Sequence, residues 1–197
     1  MLEIPAAVLP YPDINYGGNG RVDWSSTRGG KWNLAHRRFS RVNPQTQFKV
    51  YVIVVPGAPT SSLCNQNWIK QEVLSGFYKA AQQTYTTGRF ELLGVEVYPQ
   101  FTQADKAFHA MNKAKNKGAN FVMLVLESKS IATYSVFKDL ADRTFGVHSL
   151  CVVYKEKGLG DQYWGNVMMK VNLKAGGTNH TNPDVSKIMA DTLVLGA

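Results

Sequence analysis

The stretch "NFVMLVLESKSIATYSVFKDLADRTFGVHSLCVVYKE", residues 120–156, decides the fold class. It opens on a short run of branched and aromatic apolar residues, the mark of a strand buried on both faces. A polar loop follows, then helical spacing over "TYSVFKDLADRTFG", then a second apolar run, "VHSLCVVYKE". Strand, helix and strand in that order make a crossover unit, which joins parallel strands.

The same alternation extends in both directions. Upstream, "FKVYVIVVPG" is a strand closed by Pro-Gly. In "SSLCNQNWIKQEVLSGFYKAAQQTYTTG", Trp68, Ile69, Val73, Phe77 and Ala81 recur at helical spacing and the pattern closes on Gly88. The strand "FELLGVEVYPQ" and the helix "TQADKAFHAMNKAKNKG" come next. Downstream, "DQYWGNVMMKVNLKAGG" is a last helix with Gly176-Gly177 as its stop. Four alternations predict an α/β fold with a mainly parallel central sheet and helices on both faces. Ligands of such sheets sit beyond the carboxyl ends of the strands, near helix N-termini. "TLVLGA", residues 192–197, reads as a strand that stops in mid-element, which suggests a piece of a larger protein.

Composition narrows the class. The chain has 197 residues, 44% of them hydrophobic and 18% charged, which fits one globular domain with flanking pieces. Its formal net charge of +8 favours an anionic partner, nucleic acid above all. Cys64 and Cys151 stand far apart with no ligand spacing around them, so neither zinc nor a disulfide framework is expected and the chain reads as cytoplasmic. No apolar run approaches membrane-spanning length, so no membrane partner is expected. Asn179-His180-Thr181 fits a glycosylation sequon by chance.

Residues 1–40 differ from the rest. "PYPDINYGGNGRVDWSSTRGGKWN" is rich in Pro, Gly, Asn and Ser without a period, and reads as an extended arm or linker. "GGNG" has neither a strand before it nor a helix after it, which excludes a dinucleotide fingerprint. Between residues 21 and 50 seven basic residues face one acidic residue, a net of +6. The arm is therefore a candidate for contact with a phosphate backbone.

Tyr134 and Lys138, four apart, share one helix face. Short-chain dehydrogenases use Tyr-x-x-x-Lys in this way, the lysine lowering the phenol pKa for proton transfer. Such enzymes need a glycine-rich turn after the first strand. "YVIVV" runs instead into "PGAPTSSLCNQ", with one glycine, and the strand "FVMLV" lacks a serine. Lys170 and Lys174 repeat the four-residue spacing on the last helix, and His148 opens the fourth strand. Singly, lysines near a helix C-terminus offset the macrodipole. Together, three lysines, a phenol and an imidazole suit a nucleotide: lysines for a phosphate, the ring for a base. A terminal monoester fits best because it carries nearly two charges at neutral pH.

"YSVFK", "LCV" and "KVNLKAGGTNH" resemble the Mid domain of eukaryotic Argonaute proteins, with the fungal quelling Argonautes most alike. "LPYPDINYGG" and "GKWNLAHRRF" resemble the linker leading into Mid, and "TLVLGA" resembles the first strand of PIWI. The resemblance implies residues 1–40 as linker, 41–177 as a Rossmann-like Mid domain and 178–197 as the start of PIWI. It implies a domain that anchors the 5′ end of a small guide RNA within RNA silencing, beside the PIWI and other domains of its parent. Tyr134 would stack on the first base and reach the phosphate, Lys138 and Lys174 would bind the 5′-phosphate, and Lys170 would assist them in place of a metal. No cofactor is implied. The loop Ser128, Lys129, Ser130, Ile131, Ala132 and Thr133 would probe the base edge.

Two departures stand out. Where the family has a phosphate-binding Gln this chain has Leu150, and His148, two residues earlier on the same strand face, is the expected substitute donor. The chain ends before the first slicer Asp that follows the family's "LVLGA"-like strand, so this fragment is expected not to cleave RNA. Two alternatives stand beside this reading: a short-chain-dehydrogenase-like oxidoreductase using Tyr134 and Lys138, which the missing glycines weaken, and a domain binding RNA backbone generally.

Overall fold

The computed structural model describes residues 10–27, 31–34, 37–44, 47–58, 61, 69–84, 89–99, 101–155, 158–188 and 192. Its centre is one sheet of four parallel strands: β3 (Gln47–Val55), β4 (Arg89–Val97), β5 (Phe121–Leu126) and β6 (His148–Val153), in the spatial order β4-β3-β5-β6. The expected α/β fold is therefore observed, with all four strands parallel.

β5 is buried at every residue because helices cover both faces and strands flank both sides. Its side chains alternate between two cores. Phe121, Met123 and Val125 face a layer built by α1 (Ser75–Thr84) and α4 (Asp161–Lys174), which contributes Phe77, Trp164, Met168 and Val171. Val122, Leu124 and Leu126 face α2 (Ala104–Asn116) and α3 (Ile131–Asp139), which contribute Ala107, Met111 and Phe137. Burying a side chain the size of Phe137 contributes on the order of 1.5–3 kcal/mol. A short α5 (Pro183–Ile188) closes the described chain.

Three local differences from the sequence expectation have physical causes. α3 starts two residues before Thr133, because Ser130 caps it by accepting from the Thr133 amide at 3.3 Å. The helix expected to run to Gly146 changes at Leu140 into a wide π turn over Leu140–Thr144, and Gly146 leaves it with φ of 57°. α1 is likewise preceded by a π turn over Ile69–Leu74, while Trp68, Gly88 and the strand-like tail 193–197 lie outside the described residues.

The segment expected to be an extended arm folds back on the domain. Its "GGNG" is the turn of a small hairpin, β1 (Asn15–Tyr16) with β2 (Gly20–Arg21), in which Gly18 and Asn19 both take positive φ. Ile14, Tyr16, Val22 and Leu34 form a third small core against Trp24, Trp32 and Met169 of α4. Arg41 and Thr178 exchange backbone hydrogen bonds of 2.9 and 2.8 Å, tying the segment to the chain after α4. Among the described residues no helix is long and apolar enough to cross a membrane.

Candidate anion-binding site

β6 is the last strand of the described sheet, so one of its edges has no strand partner. α3 lies on one face and α4 on the other, and both overhang that edge. A cavity of about 230 Å³ opens between them. Tyr134 and Lys138 of α3, Lys170 and Lys174 of α4, and Ser149, Leu150 and Cys151 of β6 line it. Four of the five expected phosphate-binding residues thus meet in one place. The place differs from the sequence expectation: it is the flank of the sheet, and the lysines sit towards the C-terminal ends of their helices. An edge strand leaves room between helices that an inner strand would fill.

The lysines are held differently. The Lys138 ammonium contacts the Ser149 hydroxyl at 2.5 Å and Asp142 at 3.0 Å, and Asp142 comes from the π turn one helical turn beyond. Burial works to raise the Asp142 pKa, but Lys138, Lys174 and Ser149 together outweigh it and hold the carboxyl below its usual range. Lys174 is half-buried, and its pKa is lowered by burial, then by the neighbouring charge of Lys138, with Lys170 adding to it. Three cations share this cavity with one nearby carboxylate, an arrangement that an anion with several oxygens would relieve. Burial lifts the Cys151 thiol to about 11, so it is a neutral wall of the cavity at pH 7.

His148 is on the expected face of β6 but outside the cavity lining. Its ring packs on Phe121 at 4.8 Å between centroids. Burial lowers its pKa, Lys174 lowers it further, and Asp142 opposes both. It therefore sits within the electrostatic reach of the lysine cluster. Leu150 does line the cavity, with its side chain also in the core between β6 and α4.

The expected specificity loop divides. Lys129, Ser130 and Ile131 line a second cavity, with Leu126, Cys151 and Val153, that shares Tyr134 with the first. Tyr134 is 45% exposed and Ile131 86% exposed, so an aromatic ring and an aliphatic chain stand at the mouth. Ser128 and Thr133 instead line a cavity at the carboxyl ends of β3 and β5. Ala132 is exposed in the first turn of α3.

Tyr163 and Asn166 also line the lysine cavity and were not read from the sequence. Their signal was present: Tyr163, Asn166, Lys170 and Lys174 fall at spacings of three, four and four, one face of a helix. Asp142 likewise stands four residues after Lys138. The dehydrogenase alternative needs Lys138 beside the Tyr134 phenol, and its ammonium is bonded to Ser149 and Asp142.

The end of α4 explains the Gly-Gly and both Asn residues of "KVNLKAGGTN". Gly176, at φ of 80°, donates to the Leu173 carbonyl and Gly177 to that of Asn172, a Schellman cap. Asn172 is fully buried, and its amide donates to the Arg41 carbonyl and to the side-chain oxygen of Asn179. Asn179 is 6% exposed and donates to the Met169 carbonyl, so it serves packing, in keeping with a chance sequon. The asparagines thus fix the helix end on which Lys174 sits. Among the described residues no group of three His, Cys, Asp or Glu side chains could hold a metal ion.

Fold and site together define an α/β domain with a cationic cavity at the sheet edge. Comparisons with known proteins find similarity to Argonaute proteins. The Piwi domain family matches residues 121–197, from β5 to the end of the chain. The chain is 24% identical to Protein argonaute 10 of Arabidopsis thaliana over 91% of its length, and 27% identical to Protein argonaute of Schizosaccharomyces pombe over all of it. In structure it matches Kluyveromyces polysporus Argonaute, solved with a guide RNA, at a TM-score of 0.68 and 20% identity over 94% of the chain. The chain spans 18% and 24% of the length of those two curated relatives and 22% of that solved chain. The resemblance to Argonaute proteins is borne out across the chain.

Proposed function

We propose that the cavity between α3 and α4 anchors the 5′-phosphate and first nucleotide of a small guide RNA, within a protein of RNA silencing. The observation that carries this is the convergence of Lys138, Lys170 and Lys174 with the Tyr134 ring at one opening. Lys138 and Lys174 donate to phosphate oxygens, Lys170 adds charge at the rim, and Tyr134 stacks on the base. His148, outside the cavity lining, acts on the same anion through its charge from the start of β6, and Ser130 and Ile131 border the base. The relationship to Argonaute proteins supports the choice of RNA over other anions.

On this reading residues 1–40 are linker, 41–177 a Mid domain and 178–197 the opening of PIWI, acting in the cytoplasm. Its work is recognition and breaks no bond. Cleavage, where the parent protein performs it, belongs to other residues. The test is competition: UMP should displace a 5′-phosphorylated RNA oligomer from its terminal contact in a saturable way. A uridine effect equal to that of UMP would sink the phosphate pocket.

A further inference from the structure

The N-terminal segment carries a second surface that the lysine cavity does not use. Tyr11 stacks on Trp24 at 5.2 Å with 9° between the planes, and Trp24 meets Trp32 edge-on at 5.5 Å. This run of rings leads to a cavity of about 540 Å³ walled by Lys31, Trp32, Arg37 and Gln162, with Asp23 and Thr27 also on its lining. Tyr11 is 73% exposed, and Lys31 is exposed. Arg37 lies over the Tyr16 ring, 5.9 Å from its centroid, and donates to the Arg21 carbonyl.

Charge on the segment is one-sided. Residues 10–44 have five described basic side chains, Arg21, Lys31, Arg37, Arg38 and Arg41, against Asp13 and Asp23. Arg21 is paired with Asp13 at 2.6 Å, and Asp23 accepts from the Ser25 amide and hydroxyl. Among the described residues no carboxylate is within ion-pair distance of Lys31, Arg37, Arg38 or Arg41. An exposed Tyr11 ring backed by the half-buried Trp24 and Trp32, interleaved with cations, matches a single strand of nucleic acid, whose bases stack and whose backbone is anionic. A proline-rich peptide would use the rings and leave the cations without partners.

We infer that the Tyr11–Trp24–Trp32 run and the Lys31–Arg37 cavity form a second contact for single-stranded RNA, away from the terminal-phosphate cavity and indifferent to the strand's 5′ end. The surface lies against a different face of α4: the Leu34 amide donates to the Gln162 side-chain oxygen at 2.7 Å, whereas Lys170 and Lys174 line the lysine cavity. The choice of RNA rests on the proposed guide-binding role; the surface itself does not.

The test uses the 197-residue chain and a short uridine oligomer with a 5′-hydroxyl, titrated with saturating UMP present. The oligomer should bind under these conditions. Tyr11→Ala, which leaves the buried residues in place, should weaken it about tenfold. Lys31→Ala should lower the slope of log affinity against log salt by about 0.7. Neither variant should change the affinity for UMP. Failure of UMP itself to bind would remove the pocket reading and leave the oligomer arm to be read alone. Equal oligomer binding by both variants and the parent chain would overturn the inference, as would binding of a proline-rich peptide without binding of the oligomer.

Discussion

The molecule offers two places where a parallel sheet can take a ligand, and they differ in charge. At the switch point, beyond the carboxyl ends of β3 and β5, a cavity is lined by Pro56, Gly57, Pro99, Phe101, Glu127 and Thr133 among others, with no lysine or arginine among the described residues. Its carboxylate, Glu127, accepts from the Gly57 amide. At the β6 edge, three lysines converge beside one paired carboxylate. The α3 N-terminus favours anions at the first place, yet a carboxylate already lines it. Topology nominates a site, and the side chains decide whether an anion is welcome there.

The largest expected effect separates the two places directly. Lys138→Ala should weaken UMP binding by roughly 1.5–3 kcal/mol, about tenfold to a hundredfold, as for a lost charged hydrogen bond. Glu127→Gln should leave UMP binding unchanged. Calorimetric titration of both variants reads the difference, and the reverse pattern would move the site to the switch point.

Next comes the frame that carries Lys174. A Cβ at Gly177 would stand 2.0 Å from the Asn172 side-chain oxygen and 2.7 Å from the Arg41 carbonyl. Gly177→Ala should therefore cost about 1–3 kcal/mol of stability, measured by urea unfolding, because the neighbours include backbone and a buried amide.

A smaller effect concerns His148. Burial and then Lys174 hold its pKa low in this structure, and a neighbouring dianion would raise it. Between the two values binding takes up a proton, so this residue's contribution is largest at the acid end and fades as pH rises through the bound value. The phosphate's own second ionisation, near pH 6, acts in the opposite sense. The informative quantity is the ratio of parent to His148→Ala affinity, which should fall a few-fold between about pH 6 and 8. A constant ratio would leave His148 as a strand-end residue packed on Phe121.

The smallest is an acid effect on stability. Burial acts to raise the Asp142 pKa, but Lys138, Lys174 and Ser149 hold it below the usual carboxylate range, so its contribution is present above the unfolded value and is lost as pH falls through the folded one. Asp142→Asn should remove that part of the acid dependence, seen in melting temperatures recorded below about pH 4.

Much of this was legible in the chain. The apolar runs of β3, β5 and β6 and the helical spacing of α1 and α4 are local patterns, and burial on both faces wrote them into the sequence. The pairing of Tyr134 with Lys138 and of Lys170 with Lys174 was legible for the same reason. The position of their meeting was not, because it depends on β6 lying at an edge, and strand order is not a local property. The folding back of the arm was hidden too: Trp24 and Trp32 are spaced irregularly, and their partner, Met169, lies far along the chain.

The most direct measurement is a pair of titrations on the parent chain, UMP against uridine, at constant salt and pH. Anchoring through the lysine cavity predicts a saturable single site for UMP and binding at least about tenfold weaker for uridine, the loss expected when charged hydrogen bonds have no partner. Equal affinity for the two would contradict it.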